Sequence, residues 1–366
     1  MSGILKKLDW VLIGAVVLLI AIGLLSIASA SRARTGVSTD FQKQLIFVFI
    51  GVVLFFVFSF TDYRYLRNHS GIILGIYFFS VFLLTLLLVI GHKIRGASSW
   101  FHLGSPFGAF GIEPVEITKF ILVALLAKYF SGRHTDLGLA RHVIVSGIYV
   151  FAPAALVLLQ PNVGAAALMI IVWIGIMLAS GIRMRHLLAI FFIFSIACGF
   201  GWHFFLKDYQ KARIYTFLEP QKDPLGEGYN ILQSMIAVGS GGIFGKGLGH
   251  GSQSQLNFLP EQHTDFIWAT VAEEWGFFGV CFVLILFGII FWRLFLTAAD
   301  SNTNFARLFV FGFMVLLLAQ IAINMGMNMG FLPVAGIPLP LLSYGGSNLV
   351  ATLAVFGIVQ NIRINS

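Results

Sequence analysis

The chain has 366 residues, is 58% hydrophobic and only 10% charged, and has a mean hydropathy of +0.92. A soluble domain carries about 25% charged residues, so composition alone excludes an ordinary soluble fold. The net charge of +8 comes from 23 Lys and Arg that stand singly or in pairs between apolar blocks. With no basic stripe or aromatic platform, these exclude nucleic acid and suit span ends and anionic lipid headgroups.

At the N-terminus, Lys6 and Lys7, an apolar run and Ala28-Ser29-Ala30 imitate a signal peptide. The run from Trp10 to Ala28 has 19 residues, longer than the apolar region of such a signal, and reads as a first span. Further apolar blocks predict spans at 44–61, 71–91, 114–131, 142–159, 164–180, 187–206, 275–297, 306–328 and 343–362, after the first at 10–28. The expected fold is therefore an all-α polytopic integral membrane protein of about ten helices. It forms one membrane domain over 1–366, with a large extracytoplasmic loop at 207–266. Neither an internal repeat nor a soluble domain is visible.

Orientation follows from the positive-inside rule. With the N-terminus inside, the inner segments hold twelve cations: Lys6, Lys7, Arg64, Arg67, Lys128, Arg133, Arg141, Arg183, Arg185, Arg293, Arg307 and Arg363. The short outer loops hold five: Arg32, Arg34, Lys43, Lys93 and Arg95. Both termini are expected in the cytoplasm.

Four regions are more polar than spanning requires. The fourth predicted span opens Glu113-Pro114-Val115-Glu116-Ile117-Thr118-Lys119, in which Glu116 and Lys119 at i,i+3 form an ion pair or line a substrate groove. The second region is the long loop. It contains Gly239-Ser240-Gly241-Gly242-Ile243-Phe244-Gly245-Lys246-Gly247, which fails as a P-loop because Ser240 holds the first glycine position and Gly247 follows the lysine. A flexible turn and a backbone cradle for phosphate oxygens are the two readings of it.

Next, Leu259-Pro260-Glu261-Gln262-His263-Thr264-Asp265 precedes the eighth span. A helix starting at Pro260 would set Glu261 and Asp265 on one face, either as a solvated helix start or as tunable carboxyls at the membrane edge. His263 and Asp265 make neither a metal site nor a protease triad, since nothing fixes a base between nucleophile and orienter. Finally, Gln320, Asn324 and Asn328 recur every four residues as a polar stripe suited to interhelical hydrogen bonds. Pro333, Pro338 and Pro340 then lead into Ser343-Tyr344-Gly345-Gly346-Ser347, a broken backbone of the kind tolerated where it is buried or lines a wet cavity.

The chain resembles the SEDS family (shape, elongation, division and sporulation) over nearly its whole length. The segment Gln253 to Ile267, containing Leu259-Pro260-Glu261-Gln262-His263-Thr264-Asp265, resembles the rod-elongation branch more than the cell-division branch. Further matches are Asp223-Pro224-Leu225-Gly226, Gly228-Tyr229, Gly239-Ser240-Gly241-Gly242, Gly245-Lys246-Gly247 and Pro338 to Ser347.

The resemblance implies a peptidoglycan glycosyltransferase of the bacterial inner membrane, polymerising lipid II and releasing undecaprenyl pyrophosphate. It implies ten spans, a class B penicillin-binding protein transpeptidase as partner, and other membrane proteins of the elongation complex. It places the essential acid on Asp265 and a polar membrane pair on Glu116 and Lys119. Two departures stand out. Gln160-Pro161-Asn162-Val163-Gly164 carries an amide where the family has aspartate, so Asn162 can serve only by hydrogen bonding. Arg95-Gly96-Ala97-Ser98-Ser99-Trp100 has Ser99 in place of arginine, which leaves Lys93, Arg95 or His102 to face phosphate.

The implied chemistry is attack by a sugar hydroxyl on an anomeric carbon, with Asp265 as base. Lys119, Arg213, Lys93 and Arg95 are candidates for holding the developing pyrophosphate charge. Gln160, Asn162, Lys246, Glu261, His263 and Ser343 complete the expected substrate contacts. No protein ligand cluster for a metal is visible, and the only cofactor allowed for is a divalent cation, Mg or Mn, assisting the pyrophosphate. The competing classes are a lipid II translocase and a non-catalytic scaffold for the penicillin-binding protein.

Overall fold

The computed structural model describes residues 7–32, 39–90, 92–94, 97–103, 110–132, 140–204, 215–217, 219–222, 227–256, 258–259 and 261–366. Ten long helices dominate: α1 (Trp10–Arg32), α2 (Thr39–Phe60), α4 (Ser70–Ile90), α5 (Pro114–Ser131), α6 (Ala140–Leu159), α7 (Val163–Ser180), α8 (Met184–Phe204), α11 (Ile267–Asp300), α12 (Asn304–Asn328) and α13 (Gly346–Ile364). Shorter ones are α3 (Arg64–Asn68), α9 (Glu227–Ser240) and α10 (Ser252–Gln255).

Eight of these helices are long and apolar enough to cross a membrane. The 18-residue α5 is not among them because Glu116, Lys119 and Lys128 interrupt its apolar run. It is nevertheless mostly buried, packed between α4, α7, α12 and α13. Its charges face the protein, where partners offset the cost of holding them at depth. Most of the other long helices turn Phe, Leu or Ile outward, as a lipid-facing bundle requires.

Small residues allow close packing where helices cross. A Cβ on Gly357 of α13 would stand 2.4 Å from the Phe55 carbonyl oxygen of α2, and these two helices form the most extensive pairing in the bundle. At the end opposite Asp265, the buried Asp9 carboxylate receives Arg293 Nε at 2.7 Å and Arg363 at 2.9 Å, tying the start of the chain to α11 and α13.

Three features differ from the sequence expectation. The segment after α4 is not a plain loop. It forms a three-stranded antiparallel sheet, β1 (His92–Ile94), β2 (Ala97–Leu103) and β3 (Phe110–Ile112), so among the described residues the fold is all-α apart from this sheet. The long loop is partly built from helices α9 and α10. The helix expected from Pro260 does not form: residues 261–266 are turns, Glu261 has φ 53°, and α11 starts at Ile267.

α11 is itself two helices joined at Gly276, whose φ of 64° and ψ of −162° only glycine adopts readily. A straight helix would bond the amides of Phe277 and Phe278 to the carbonyls of Glu273 and Glu274. Here the glycine-rich turn takes all four groups. Lys246 and Gly247 donate to the Glu273 and Glu274 carbonyls (both 3.0 Å), while Phe277 and Phe278 donate to Gly242 (2.9 Å) and Ile243 (3.2 Å). The turn is thus spliced into the helix ladder, which is neither of the two sequence readings of that stretch.

Candidate active site

Asp265 ends the turn that leads into α11, and three successive carbonyls of this turn are fixed from outside it. His263 O accepts from the Tyr344 amide at 2.7 Å, and Thr264 O accepts from Ser343 Oγ at 2.6 Å. Asp265 O accepts from Asn324 Nδ2 at 3.0 Å and Asn328 Nδ2 at 2.9 Å. A helix would have used these carbonyls internally; their external partners explain why none forms from Pro260. The backbone of Asp265 is therefore held by two fully buried amides of α12, and its carboxyl is partly buried beside the 333–345 segment. A Cβ on Gly336 would stand 3.9 Å from Asp265 Oδ2.

The same segment covers the start of α7, since a Cβ on Gly164 would lie 2.4 Å from Ala335 O. There Asn162 caps α7 by accepting from the Ala165 amide at 3.1 Å, and its Nδ2 donates to Glu113 Oε1 at 3.4 Å. Glu113 is the residue before α5, with Pro114 at the first helical position. Its amide donates to Ser347 Oγ at 2.9 Å, in the first turn of α13. Glu113 thus joins the N-termini of three helices, α5, α7 and α13, whose positive ends converge on one spot.

One turn into α5, Lys119 Nζ donates to Glu116 Oε1 at 2.8 Å with the side chains only 1% and 5% exposed. The other Glu116 oxygen accepts from Asn348 Nδ2 at 2.6 Å. Lys119 is therefore committed to Glu116. Glu113, outside the helix, has its carboxyl pushed up to about 8, first by burial and then by the negative charges of Glu116 and Asp265, against the pull of Lys119. Two carboxyls, Glu113 and Asp265, thus face one site.

Three expected substrate contacts are committed elsewhere. Lys246 Nζ bonds Glu273 Oε1 at 2.9 Å, beside the splice, where Glu273 also takes the Gln253 and Ser254 amides. Gln160 is buried and donates to Leu84 O at 2.9 Å, joining α6 to α4. Ser343 spends its hydroxyl on Thr264 O while accepting from the Leu339 amide at 2.8 Å. For these three, the sequence showed polarity without showing that the protein consumes it.

Glu261 accepts from Thr264 Oγ1 at 3.1 Å and so buttresses the turn, and His263 enters it through its backbone carbonyl. Lys93 lies on β1, and nothing of its side chain is described; Arg95 and Arg213 lie outside the described residues. Among the described residues no group of three or more His, Cys, Asp or Glu could hold a metal ion. The residue that sequence reasoning missed is Glu113. Its signal was present: a carboxylate directly before Pro114, on the same helix start as Glu116.

A family model for cell cycle proteins of the FtsW, RodA and SpoVE type matches residues 9–366. The chain is similar to the peptidoglycan glycosyltransferase MrdB of Escherichia coli K12, with 38% identity over 297 residues, covering 81% of this chain and 79% of that protein. It is also similar to stage V sporulation protein E of Bacillus subtilis 168, with 34% identity over 362 residues, 97% of this chain and 96% of that one. Among solved structures it resembles a chain of a peptidoglycan synthase complex that coordinates polymerization and crosslinking, with TM-score 0.80, 31% identity and 98% coverage of both chains. It likewise resembles the rod shape determining protein RodA of Thermus thermophilus, with TM-score 0.70, 29% identity and coverage of 97% and 96%.

Proposed function

Because the chain belongs to the FtsW, RodA and SpoVE family of cell cycle proteins, we propose that its peptidoglycan glycosyltransferase activity uses Asp265 as general base on lipid II. The protein is a multi-span helical membrane enzyme. The observation that carries the reading is the anchoring of carbonyls 263–265, which holds one carboxyl steady at a point where three helix N-termini converge.

In the proposed step, the acceptor sugar hydroxyl gives its proton to the Asp265 carboxylate as its oxygen bonds to the anomeric carbon. The bond from that carbon to the lipid pyrophosphate breaks, and its electron pair leaves with undecaprenyl pyrophosphate. The ends of α5, α7 and α13 present amide dipoles to the departing anion. Lys119, held by Glu116, supports these ends rather than gripping phosphate directly. A Mg or Mn ion would travel with the pyrophosphate; the described residues supply no ligand set for a resident one.

The same reading places the protein in the bacterial cytoplasmic membrane, with both termini in the cytoplasm and Asp265 facing outward. There a class B penicillin-binding protein and other elongation-complex membrane proteins would meet the new strand. Reporter fusions test the orientation. Those near residue 100 and at 225 are expected outside, and those at 135 and after 366 inside. A cytoplasmic signal from 225 would put the site on the wrong face of the membrane.

The activity is tested with purified protein, lipid II and detergent, reading glycan chains on a gel. Polymer formation is expected without any added transpeptidase activity. Movement of lipid II across vesicles without polymer would favour the translocase, and polymer appearing only with a partner's own glycosyltransferase would favour the scaffold.

A further inference from the structure

Glu113 is a carboxyl at this site that the proposed step does not use and that no cation neutralises among the described residues. It stands where the N-termini of α5, α7 and α13 meet, touched by the Asn162 amide at 3.4 Å and with its own amide on Ser347 at 2.9 Å. Among the described residues no Lys, Arg or His pairs with it, because the nearby Lys119 is taken by Glu116 at 2.8 Å. The charged groups that act on it are Glu116 and Lys119 on α5 and Asp265 on the facing turn.

We propose that Glu113 is a substrate-binding residue that works in its protonated form, donating a hydrogen bond to a lipid pyrophosphate. The inference rests on the glycosyltransferase reading above and deepens it. The argument is one of charge. Three converging helix ends favour an added anion at one spot. An ionised Glu113 would itself be that anion and would repel phosphate, while Asp265 must stay ionised to act as base. A neutral Glu113 leaves the helix ends to the pyrophosphate and turns an acceptor into a donor.

The position of its equilibrium agrees, since burial and two like charges hold the carboxyl up at about 8. An arriving pyrophosphate adds a third negative charge and raises it further, so the proton is retained on binding. No bond to carbon is made or broken at Glu113. This division gives one carboxyl a proton to keep and its neighbour a proton to accept, as in enzymes whose paired acids are driven apart by their surroundings.

The test is binding of undecaprenyl pyrophosphate to the full chain in detergent, measured from pH 6.5 to 9.5 for the wild type and Glu113→Gln. Glutamine keeps a neutral donor at every pH. Wild-type affinity is expected to fall about tenfold per pH unit once the pH exceeds about 8. Affinity of Glu113→Gln should lack that fall, and titration of the ligand itself is common to both proteins. An infrared titration of the wild type, needing no variant, should show a protonated carboxyl band that disappears over the same range.

If a monodisperse Glu113→Gln protein follows the wild-type pH dependence, or no such infrared band exists, the inference is wrong and the glycosyltransferase reading stands. If the wild type binds no polyprenyl pyrophosphate at any pH, both fall.

Discussion

Asp265→Asn should lower lipid II polymerisation by about 10²–10⁴-fold, the usual contribution of a general base. The variant should fold, because the backbone carbonyl of residue 265, not its carboxyl, carries the bonds to Asn324 and Asn328. Asparagine keeps the size of the side chain but carries no charge and cannot take a proton. Asp265→Glu moves the carboxyl by roughly 1 Å, and misplacement of that size alone can cost about 10²-fold. The measurement is glycan synthesis at equal, monodisperse protein levels, with thermal unfolding as a control on folding. Polymerisation by Asp265→Asn at near wild-type rate would remove Asp265 as base.

The second large effect is expected at the buried pair in α5. Lys119→Met leaves Glu116 with the Asn348 amide at 2.6 Å as its partner, whereas Glu116→Leu leaves Lys119 with no described partner at all. Breaking a buried pair typically costs about 3–5 kcal/mol, because one charge remains desolvated. Both single variants should lose stability on that scale, with Glu116→Leu the worse. The double variant should lose less than the two singles combined, since it strands no charge. Thermal unfolding in detergent gives the cycle, and strict additivity would show that the pair is not coupled.

Much of this architecture was legible because membrane spans write themselves in composition. Nine of the ten long helices lie within a few residues of the apolar blocks that predicted them, and α5 matches block 114–131 at both ends. The exception is α11, which begins at Ile267 and not 275 because Glu273 and Glu274, which look like loop residues, are buried, with Glu273 held by Lys246 and the start of α10 and Glu274 Oε1 by Ser29 and the Gly249 amide. The sheet at 92–112 was invisible because three short strands leave no periodic signal long enough to read.

At the site, the resemblance pointed to Asp265, Glu116 and Lys119. The polar stripe of Asn324 and Asn328 was visible as a stripe but not as the clamp on residue 265. What a hydrogen bond is spent on is a tertiary fact. Lys246, Gln160 and Ser343 looked available in sequence because their partners, Glu273, Leu84 and Thr264, lie up to 79 residues away. Glu113 shows the converse. Its place before Pro114 and near Glu116 is plain in the sequence, but the burial and the approach of Asp265 that help raise its pKa exist only in the fold.

The splice at Gly276 also dictates an order of assembly. An ordinary helix closes its ladder locally, within nanoseconds per residue. At this joint the four bonds run between groups 27 or 35 residues apart in sequence, so they cannot form until that intervening chain has looped back. The segment 242–247 leaves the ribosome before residues 273–278 do, and so it is available as a template when they emerge. The half of α11 adjoining Asp265 is therefore completed as a long-range event, after the span beyond Gly276 is able to form alone. Docking of the glycine-rich turn, and not helix growth alone, completes the helix that leads from Asp265 into the span.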